Sequence, residues 1–288
     1  MAAAYKNRVS LFHGPAFALP KFAAFKRVVT LHDFGFLRHP QWVAPDVRDY
    51  LRRMVPQAIS VADGIIVPSP GILEELYEFF PTVRGRHVAI IPMGSEFAEH
   101  KYEGVTALTP PIDRPYILHV GTLEPRKNLG TLVKAYEKLA RLGMPHVLVL
   151  VGNNPNVGSS VIDNLDPRII VTGYVSRSDL AAWYAHASLY VQASWYEGFG
   201  MGTLEAYLWG IPIVASRTGW VVQLAESSDY PAVLIDDASD PEALFRAMER
   251  GISLGKEIPR SPDRCKGFTW VDIVHRHWYF YEEVVNGT

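Results

Sequence analysis

Residues 116–128, YILHVGTLEPRKN, contain the pattern that decides the fold. Tyr116 to Val120 form an apolar run without strict alternation, which predicts a strand buried on both faces of a parallel sheet. A loop that contains glycine follows, and apolar residues then recur from 129 to 140 at the spacing of an amphipathic helix. Asn128 is the expected N-cap of that helix. A strand, a loop and a helix in this order are typical of a doubly wound α/β domain.

The same unit repeats along the chain. Further buried strands are predicted at 147–151, 169–171, 189–191, 211–215 and 232–235. Helices are predicted over 203–209 and over 242–248, the second capped by Asp240-Pro241. The first hundred residues show a weaker version, with strands at 8–12, 27–31, 64–67 and 87–91 and helices over 47–61 and 71–79. We therefore predict two domains, 1–105 and 106–269, a linker within 94–113, and a final helix within 270–288 that packs back on the first domain.

Length and composition agree with two domains and exclude several classes of protein. The chain has 288 residues, a net charge of −2 and one cysteine, Cys265. A nucleic-acid partner is not expected without a basic excess, and one cysteine permits neither an intrachain disulfide nor a multi-cysteine zinc site. The apolar runs are too short to span a membrane, and residues 1–10 lack the apolar stretch of a secretory signal. We expect a cytoplasmic protein.

Two loops that follow predicted strands carry the residues with chemistry. In loop 121–128, Gly121 permits close approach of a ligand, and Arg126 and Lys127 precede a helix. Cations beside free backbone N–H groups predict an anion site, most simply for a diphosphate; an ordinary solvated loop is the alternative. In loop 195–206, Glu197 and Glu205 flank a glycine turn whose G-x-G-x-G spacing differs from a dinucleotide fingerprint. The alternative there is a structural turn with solvated carboxylates.

These loops resemble motifs of family-4 retaining glycosyltransferases. The stretch from Glu197 to Glu205 is similar to their Glu-x7-Glu motif, with its EGFG core and the LEA that follows, and GTLEPRKN is similar to their donor-phosphate loop. Residues 30–33, TLHD, and 173–176, GYVS, resemble a His-containing loop and a loop near the nucleotide base. The similarity extends to lipopolysaccharide and O-antigen mannosyltransferases. It implies a GT-B fold, in which two Rossmann-like domains face a cleft, with a shortened N-terminal acceptor domain and a C-terminal donor domain.

The resemblance also implies roles for individual residues. Glu205 would hold the ribose hydroxyls and Glu197 the donor-sugar hydroxyls, while the two cations would neutralise the leaving diphosphate. The implied catalytic residues are His32, Arg126, Lys127 and Glu197. The implied donor-binding residues are Gly121, Thr122, Gly152, Tyr174, Val175, Gly198, Phe199, Gly200, Met201, Thr203, Leu204 and Glu205. No cofactor is expected, because the nucleoside-diphosphate-sugar is a substrate. A metal ion is not expected either. A GDP-sugar is slightly favoured as donor, and the acceptor would be a glycan or a glycolipid.

Two departures from the family pattern keep alternatives open. Thr122 stands where many relatives carry arginine, so Arg126 would share that role. Relatives also begin with roughly a hundred further residues, so the first domain is unusually small, or the chain is a fragment, or a partner chain or homo-oligomer completes it. A non-catalytic or partner-dependent subunit that binds nucleotide-sugar is therefore the first alternative. A nicotinamide-dependent oxidoreductase is the second, and the missing fingerprint speaks against it.

A basic, aromatic stretch predicts a membrane contact. Residues 1–60 contain nine Lys or Arg residues against three Asp residues, and Phe12, Phe17, Leu19, Phe22 and Phe25 lie between the cations. Aromatic anchors with a basic rim suit an anionic bilayer. We expect peripheral binding on the inner face of the membrane through residues 12–53; the alternative is that these residues build the core of a small domain.

Overall fold

The computed structural model describes residues 9–22, 24–99, 109–153, 165–227, 230–255 and 262–287. The chain divides into two compact units, the first formed by residues 1–94 and 267–288 and the second by residues 95–266. Each unit is built on its own parallel sheet, which confirms the predicted α/β class. The boundary predicted between residues 105 and 106 lies outside the described residues.

The first unit is a four-stranded parallel sheet with helices in the connections. The strand order is β1-β2-β3-β4. Its strands are β1 (Leu11–Gly14), β2 (Lys26–Thr30), β3 (Gly64–Val67) and β4 (His87–Ile90). Its connecting helices are α1 (Gly35–Arg38), α2 (Pro45–Val61) and α3 (Pro70–Phe79). The strand predicted at 8–12 lies further along the chain, because pairing with β2 starts at Leu11 opposite Lys26 and runs to Gly14.

The second unit is a six-stranded parallel sheet with helices between the strands. Its strands are β5 (Tyr116–Val120), β6 (Val147–Val151), β7 (Ile169–Gly173), β8 (Leu189–Gln192), β9 (Ile213–Ser216) and β10 (Ala232–Ile235). Its helices are α4 (Glu96–Glu99), α5 (Leu129–Arg141), α6 (Arg177–His186), α7 (Met201–Leu208), α8 (Val221–Ser227) and α9 (Pro241–Leu254). Helix α4 lies inside the segment predicted as a linker. Helix α9 is longer than predicted, and Asp240 caps it by accepting the N–H of Glu242.

The strand order of the second sheet creates a switch point. The order is β10-β9-β8-β5-β6-β7, so the chain starts at a central strand, builds outward through β6 and β7, and returns to the other side of β5 with β8. Ile117 pairs with Leu189 and Leu118 with Tyr190 across this join. The loops after β5 and β8 therefore leave the sheet in opposite directions, and ligands of such sheets bind in the crevice between them.

The hydrogen bonds of Asn128, at the start of α5, differ from those expected of a helix N-cap. Asn128 occupies the N-cap position of α5, but its side chain accepts no backbone N–H there. Its φ of 53° is left-handed, and its amide instead donates to the carbonyls of Ala193 (3.0 Å) and Ala238 (2.6 Å). Asn128 therefore ties the loop after β5 to two other loops at the same edge of the sheet.

The final helix, α10 (Trp270–Asn286), packs on the first unit. Ile273, Phe280 and Val284 form a core cluster with residues of β2, β3 and the end of β4. Gly64 permits this approach, because a Cβ there would lie 2.7 Å from a methyl group of Val284. Another face of α10 stays exposed, and it carries Trp270, Val271, Val274, Trp278 and Tyr279. Within the described part of the chain, every helix is too short or too polar to cross a bilayer.

Candidate active site

The centre of the site is a buried carboxylate held by two cations. Glu197 follows β8, and its side chain is 6% exposed. Arg126 Nη1 donates to Glu197 Oε2 at 2.8 Å, and Lys127 Nζ donates to Oε1 at 2.7 Å. Ser194 Oγ donates to the same Oε1 at 2.7 Å. The fold thus brings together the two loops that the sequence analysis singled out, about 70 residues apart in the chain.

The electrostatic balance keeps Glu197 ionised. Burial by itself would raise the pKa of the Glu197 carboxyl, but the charges of Lys127 and Arg126 outweigh burial, and the net pKa is lowered. Lys127 is itself buried, whereas Arg126 is partly exposed. Arg126 and Lys127 place two cationic groups at the carboxyl ends of the strands, and such groups are strong hydrogen-bond donors to an anionic ligand.

A second carboxylate also binds Arg126. Glu124 Oε1 accepts from Nη2 of Arg126 at 2.7 Å and from its Nε at 3.0 Å. The backbone carbonyls add further contacts, since Arg126 O accepts the N–H of Trp195 at 2.9 Å. The guanidinium is therefore fixed on several sides, and the loops after β5 and β8 are joined through one residue.

Glycines let the loops approach each other closely. Gly121 has a φ of +152° and Gly152 a φ of +145°, and both follow strands directly. A Cβ at Gly152 would lie 2.0 Å from the carbonyl oxygen of Gly121, so no side chain fits there. A Cβ at Gly121 would lie 3.2 Å from Cε of Lys127. The stem of Lys127 thus packs against the backbone of Gly121.

The turn before α7 is formed by Gly198, Phe199 and Gly200. Gly200 is left-handed, with a φ of +89°, and forms the N-cap of α7. Thr203 Oγ1 donates to the carbonyl of Gly200 at 2.7 Å and is fully buried. Helix α7 begins at Met201, two residues earlier than predicted, because Gly200 supplies the left-handed residue that starts it.

The second carboxylate of the motif, Glu205, lies on α7 with its own partners. Its side chain is 7% exposed. Arg177 Nη1 donates to Glu205 Oε1 at 2.9 Å, and the hydroxyl of Tyr184 donates to Oε2 at 2.9 Å. Burial raises the pKa of the Glu205 carboxyl, while Arg177 and Tyr184 act in the opposite direction. Both oxygens of this carboxylate therefore carry one protein donor each.

The remaining predicted donor residues differ in accessibility. Leu204 is fully buried and Phe199 is 6% exposed, with its ring 6.0 Å from that of Trp220. The side chain of Leu204 lies in the core, and its donor-binding role stays a prediction. Tyr174, in contrast, is 79% exposed. Thr122 is also exposed, and intermediate exposure is found at Val175, Gly198 and Met201.

His32 lies in the first unit, after β2. Its Nε2 is 2.8 Å from the carbonyl oxygen of Pro15, and the ring of Phe17 packs edge-on at 5.7 Å between centroids. The neighbouring β1 residue His13 is held by Thr30 and Tyr281 through its two ring nitrogens, at 2.8 and 2.7 Å. The loop that carries His32 is thus anchored to the end of β1.

The proposed membrane anchors are only partly exposed. Phe22 is 82% exposed and Phe12 40%, but Leu19 is 5% exposed. Leu19 is therefore a core residue, and the prediction that it anchors a bilayer is wrong. Phe34 and Phe36, further along the same stretch, are also buried in the core.

Sequence reasoning missed several residues around the carboxylates. Ser194, Arg177 and Tyr184 were not proposed as site residues, although each donates to a motif glutamate. The sequence did contain one signal of a polar site here, because the polar residues His119 and Gln192 lie inside apolar strands. His119 Nδ1 donates to Val191 O at 2.9 Å, and burial lowers the pKa of His119 to about 4, so the ring is neutral. Within the described residues, His119 Nε2 and Gln192 Nε2 are buried without a hydrogen-bond partner.

Comparisons with known proteins agree with this architecture. Residues 114–253 match the family described as "Glycosyl transferases group 1". The O-antigen chain mannosyltransferase B of Escherichia coli is 28% identical over 281 residues, which cover 92% of this chain and 72% of the relative. A glycogen synthase of Mycobacterium tuberculosis is 25% identical over 71% of this chain, and the match spans only half of the relative.

Solved structures share the fold at low sequence identity. The sucrose-phosphate synthase of Thermosynechococcus elongatus superimposes with a TM-score of 0.75 at 24% identity, covering all of this chain and 76% of that one. The Anabaena protein HepE in complex with UDP gives a TM-score of 0.69 at 19% identity, covering 90% and 72%. The two parallel α/β units are thus those of the GT-B class. The family match, which covers just under half of the chain, and the relatives thus make the chain similar to glycosyltransferases.

Among the described residues, no group of three or more His, Cys, Asp or Glu side chains is arranged to hold a metal ion.

Proposed function

We propose that the chain transfers a sugar from a nucleoside-diphosphate-sugar to an acceptor hydroxyl with retention of the anomeric configuration. The observation that carries this proposal is the cluster of Glu197, Arg126 and Lys127 at the switch point of the second sheet. Two preorganised cations beside a backbone-exposing glycine turn fit a diphosphate, and a buried carboxylate fits sugar hydroxyls.

In the proposed reaction, charge develops on the leaving diphosphate. The bond between the anomeric carbon and the diphosphate oxygen breaks, and the acceptor oxygen forms its bond on the same face. The acceptor proton passes to an oxygen of the leaving phosphate. Arg126 and Lys127 stabilise the new negative charge, and preorganised charges of this kind give the largest single contribution in many enzymes. These cations supply the charge that a metal ion would otherwise provide, so we propose a metal-independent enzyme without a cofactor.

The other site residues bind and orient the donor in this proposal. Glu205 receives the ribose hydroxyls, and Glu197 receives hydroxyls of the donor sugar. Tyr174 and Val175 contact the base. The backbone of the turn from Gly198 to Gly200 approaches the sugar and the diphosphate. His32 is proposed as a further catalytic residue, as the resemblance implies.

The donor is proposed to be a GDP-sugar and the acceptor a glycan or a glycolipid. Support for this choice comes from the relative named an O-antigen chain mannosyltransferase, which covers most of this chain. A glycolipid acceptor on the cytoplasmic face of a membrane explains a peripheral surface contact. In the first unit, exposed Phe22 and its neighbour Lys21 are the residues best placed to make it, with Arg52 and Arg53 on α2 adding positive charge.

The test is a transfer assay with the purified chain. It is incubated with GDP-, UDP- and ADP-sugars, with and without excess chelator, and release of the nucleoside diphosphate is measured. Proton NMR of the product reports its anomeric configuration. We expect retention, preference for a GDP-sugar and no loss with chelator. An inverted product overturns the retaining mechanism, and loss of activity with chelator overturns metal independence. Binding without transfer favours a partner-dependent subunit.

A further inference from the structure

Arg177 is restrained on three sides. Its Nη1 lies 2.9 Å from Glu205 Oε1, and its Nε lies 3.2 Å from Glu96 Oε2. Its guanidinium carbon stands 3.8 Å from the centre of the Phe97 ring, which is close enough for a cation–π contact. Glu96 and Phe97 both belong to α4, so a short helix far away in sequence fixes the orientation of Arg177.

The same ring supports the second donor to Glu205. The Phe97 ring meets that of Tyr184 edge-on at 5.7 Å, and the Tyr184 hydroxyl donates to Glu205 Oε2. Burial and neighbouring charge raise the pKa of the Tyr184 hydroxyl well above its ordinary value, so it stays a donor. Glu205, Arg177, Phe97 and Tyr184 therefore form a closed ring of contacts around one carboxylate.

This arrangement leaves a defined part of the carboxylate free. A carboxylate offers about four lone-pair positions, two on each oxygen. Arg177 uses one on Oε1 and Tyr184 uses one on Oε2. With respect to donors from the described residues, one position on each oxygen therefore remains, and the two are oriented by Arg177 and Tyr184. Two adjacent hydroxyls of a ribose can donate to this pair.

We propose that Arg177 is a positioning residue that orients Glu205 for the ribose hydroxyls of the donor, with Phe97 as its support. The inference rests on the proposed function, in which Glu205 binds the ribose. A purely structural role fits poorly, because the Arg177 side chain is 42% exposed and exposed ion pairs contribute little to folding. Its partner Glu205 is buried, so the test must separate recognition of the ribose from the stability of the fold.

The test measures ribose recognition directly. Dissociation constants are determined by calorimetry for GDP, 2′-deoxy-GDP and 3′-deoxy-GDP. The wild type should bind GDP about tenfold to a hundredfold more tightly than the deoxy analogues, the range for a hydrogen bond to a charged group. Arg177→Gln should weaken the binding of GDP by about tenfold and leave the affinities of the analogues unchanged. The ratio of the affinity for GDP to the affinity for the analogues therefore falls toward one. Arg177→Lys should give an intermediate ratio, because it keeps the charge and loses the planar fork.

Two controls separate the possible failures. Arg217→Gln removes a guanidinium of similar exposure (48%) that pairs with Glu226 and Asp236, and it should keep the wild-type ratio. Glu205→Ala should abolish the preference for ribose; if it keeps the preference, the proposed role of Glu205 fails. The role of Arg177 is overturned if Glu205→Ala loses the preference for ribose while Arg177→Gln keeps it. It is also overturned if Arg177→Gln weakens the binding of all three ligands equally. Should Arg177→Gln not fold, Arg177→Lys and Phe97→Leu answer the same question.

Discussion

Lys127 Nζ lies 2.7 Å from Glu197 Oε1, and both side chains are buried. The ion pair joins the loop after β5 to the loop after β8 across the switch point of the sheet. Lys127, which is proposed to stabilise the leaving diphosphate, is thus paired with Glu197, which is proposed to bind the donor sugar. An incoming diphosphate has to share these cations with Glu197, and this relationship yields the first prediction.

Replacing the carboxylate should strengthen binding of a nucleoside diphosphate. The role implied for Glu197, contact with the donor sugar, would by itself leave this affinity intact when the carboxylate is lost. The ion pairs change that expectation, because Glu197→Gln removes the carboxylate that pairs with Lys127 and one of the two carboxylates that pair with Arg126, which leaves more positive charge for the phosphates. We expect affinity to rise about tenfold, equivalent to about 1.4 kcal/mol, while transfer is lost. Calorimetry at low salt measures the affinity. Ser194→Ala, which removes a hydrogen bond to Glu197 and keeps its charge, should change affinity little; unchanged or weaker binding in Glu197→Gln would contradict the prediction.

Removing either cation should slow the reaction strongly. Lys127→Ala and Arg126→Ala should each reduce kcat by about 10²-fold to 10³-fold, the typical cost of losing one preorganised group that stabilises transition-state charge. Lys134→Ala is the matched control, because Lys134 lies on the exposed side of the adjacent helix α5. Turnover is measured by release of the nucleoside diphosphate. Near-normal rates in both cation variants would refute the assignment of this loop to the diphosphate.

The close approach of Gly152 to Gly121 predicts a sharp steric effect. Gly152→Ala places a Cβ 2.0 Å from the Gly121 carbonyl oxygen at a φ of +145°. The backbone must shift, at a cost of about 1–3 kcal/mol for overpacking and a similar amount for strain. We expect a lower melting temperature and weaker donor binding. Gly130→Ala, where no atom lies within 4 Å of the new Cβ, should be neutral or slightly stabilising. Equal melting temperatures for the two variants would exclude the steric explanation.

Membrane binding, if it occurs, should depend on Phe22. Phe22→Ser should reduce co-sedimentation with anionic liposomes, since a buried Phe side chain contributes about 1.5–3 kcal/mol. Binding should also weaken at high salt, because the basic rim is screened. Leu142→Ser is the control, because Leu142 is 65% exposed in the second unit. If the wild type does not bind at any lipid composition or salt concentration, a peripheral membrane contact is excluded.

The sequence predicted the fold well where local pattern and tertiary burial agree. Strand β6 is apolar throughout and β5 is apolar except for His119, a pattern that favours buried parallel strands in an α/β domain. The strand order was not predictable in the same way, because adjacency of β5 and β8 depends on which loops pack together. Asn128 is the N-cap residue of α5, as predicted, but its side chain makes no capping hydrogen bond because it contacts Ala193 and Ala238, which are distant in sequence.

The sequence predicted which residue types form the candidate site, but it did not predict which of these residues pair with each other. Glycines and carboxylates in one loop, with cations in another, indicated an anion site. The pairing of Glu197 with both cations needed the fold, since about 70 residues separate them. Arg177 was missed because a charged residue at the start of a helix is usually solvated, and only the placement of α4 shows what holds it.

Titration of a nucleoside diphosphate into the wild type, Lys127→Ala and Lys134→Ala is the most direct test of a donor site at this switch point. We predict saturable binding of one ligand per chain to the wild type and to Lys134→Ala. Lys127→Ala should bind at least about tenfold more weakly, corresponding to a loss of about 1.4 kcal/mol. Absence of binding to the wild type by every nucleoside diphosphate, or equal affinity in all three proteins, would contradict the assignment.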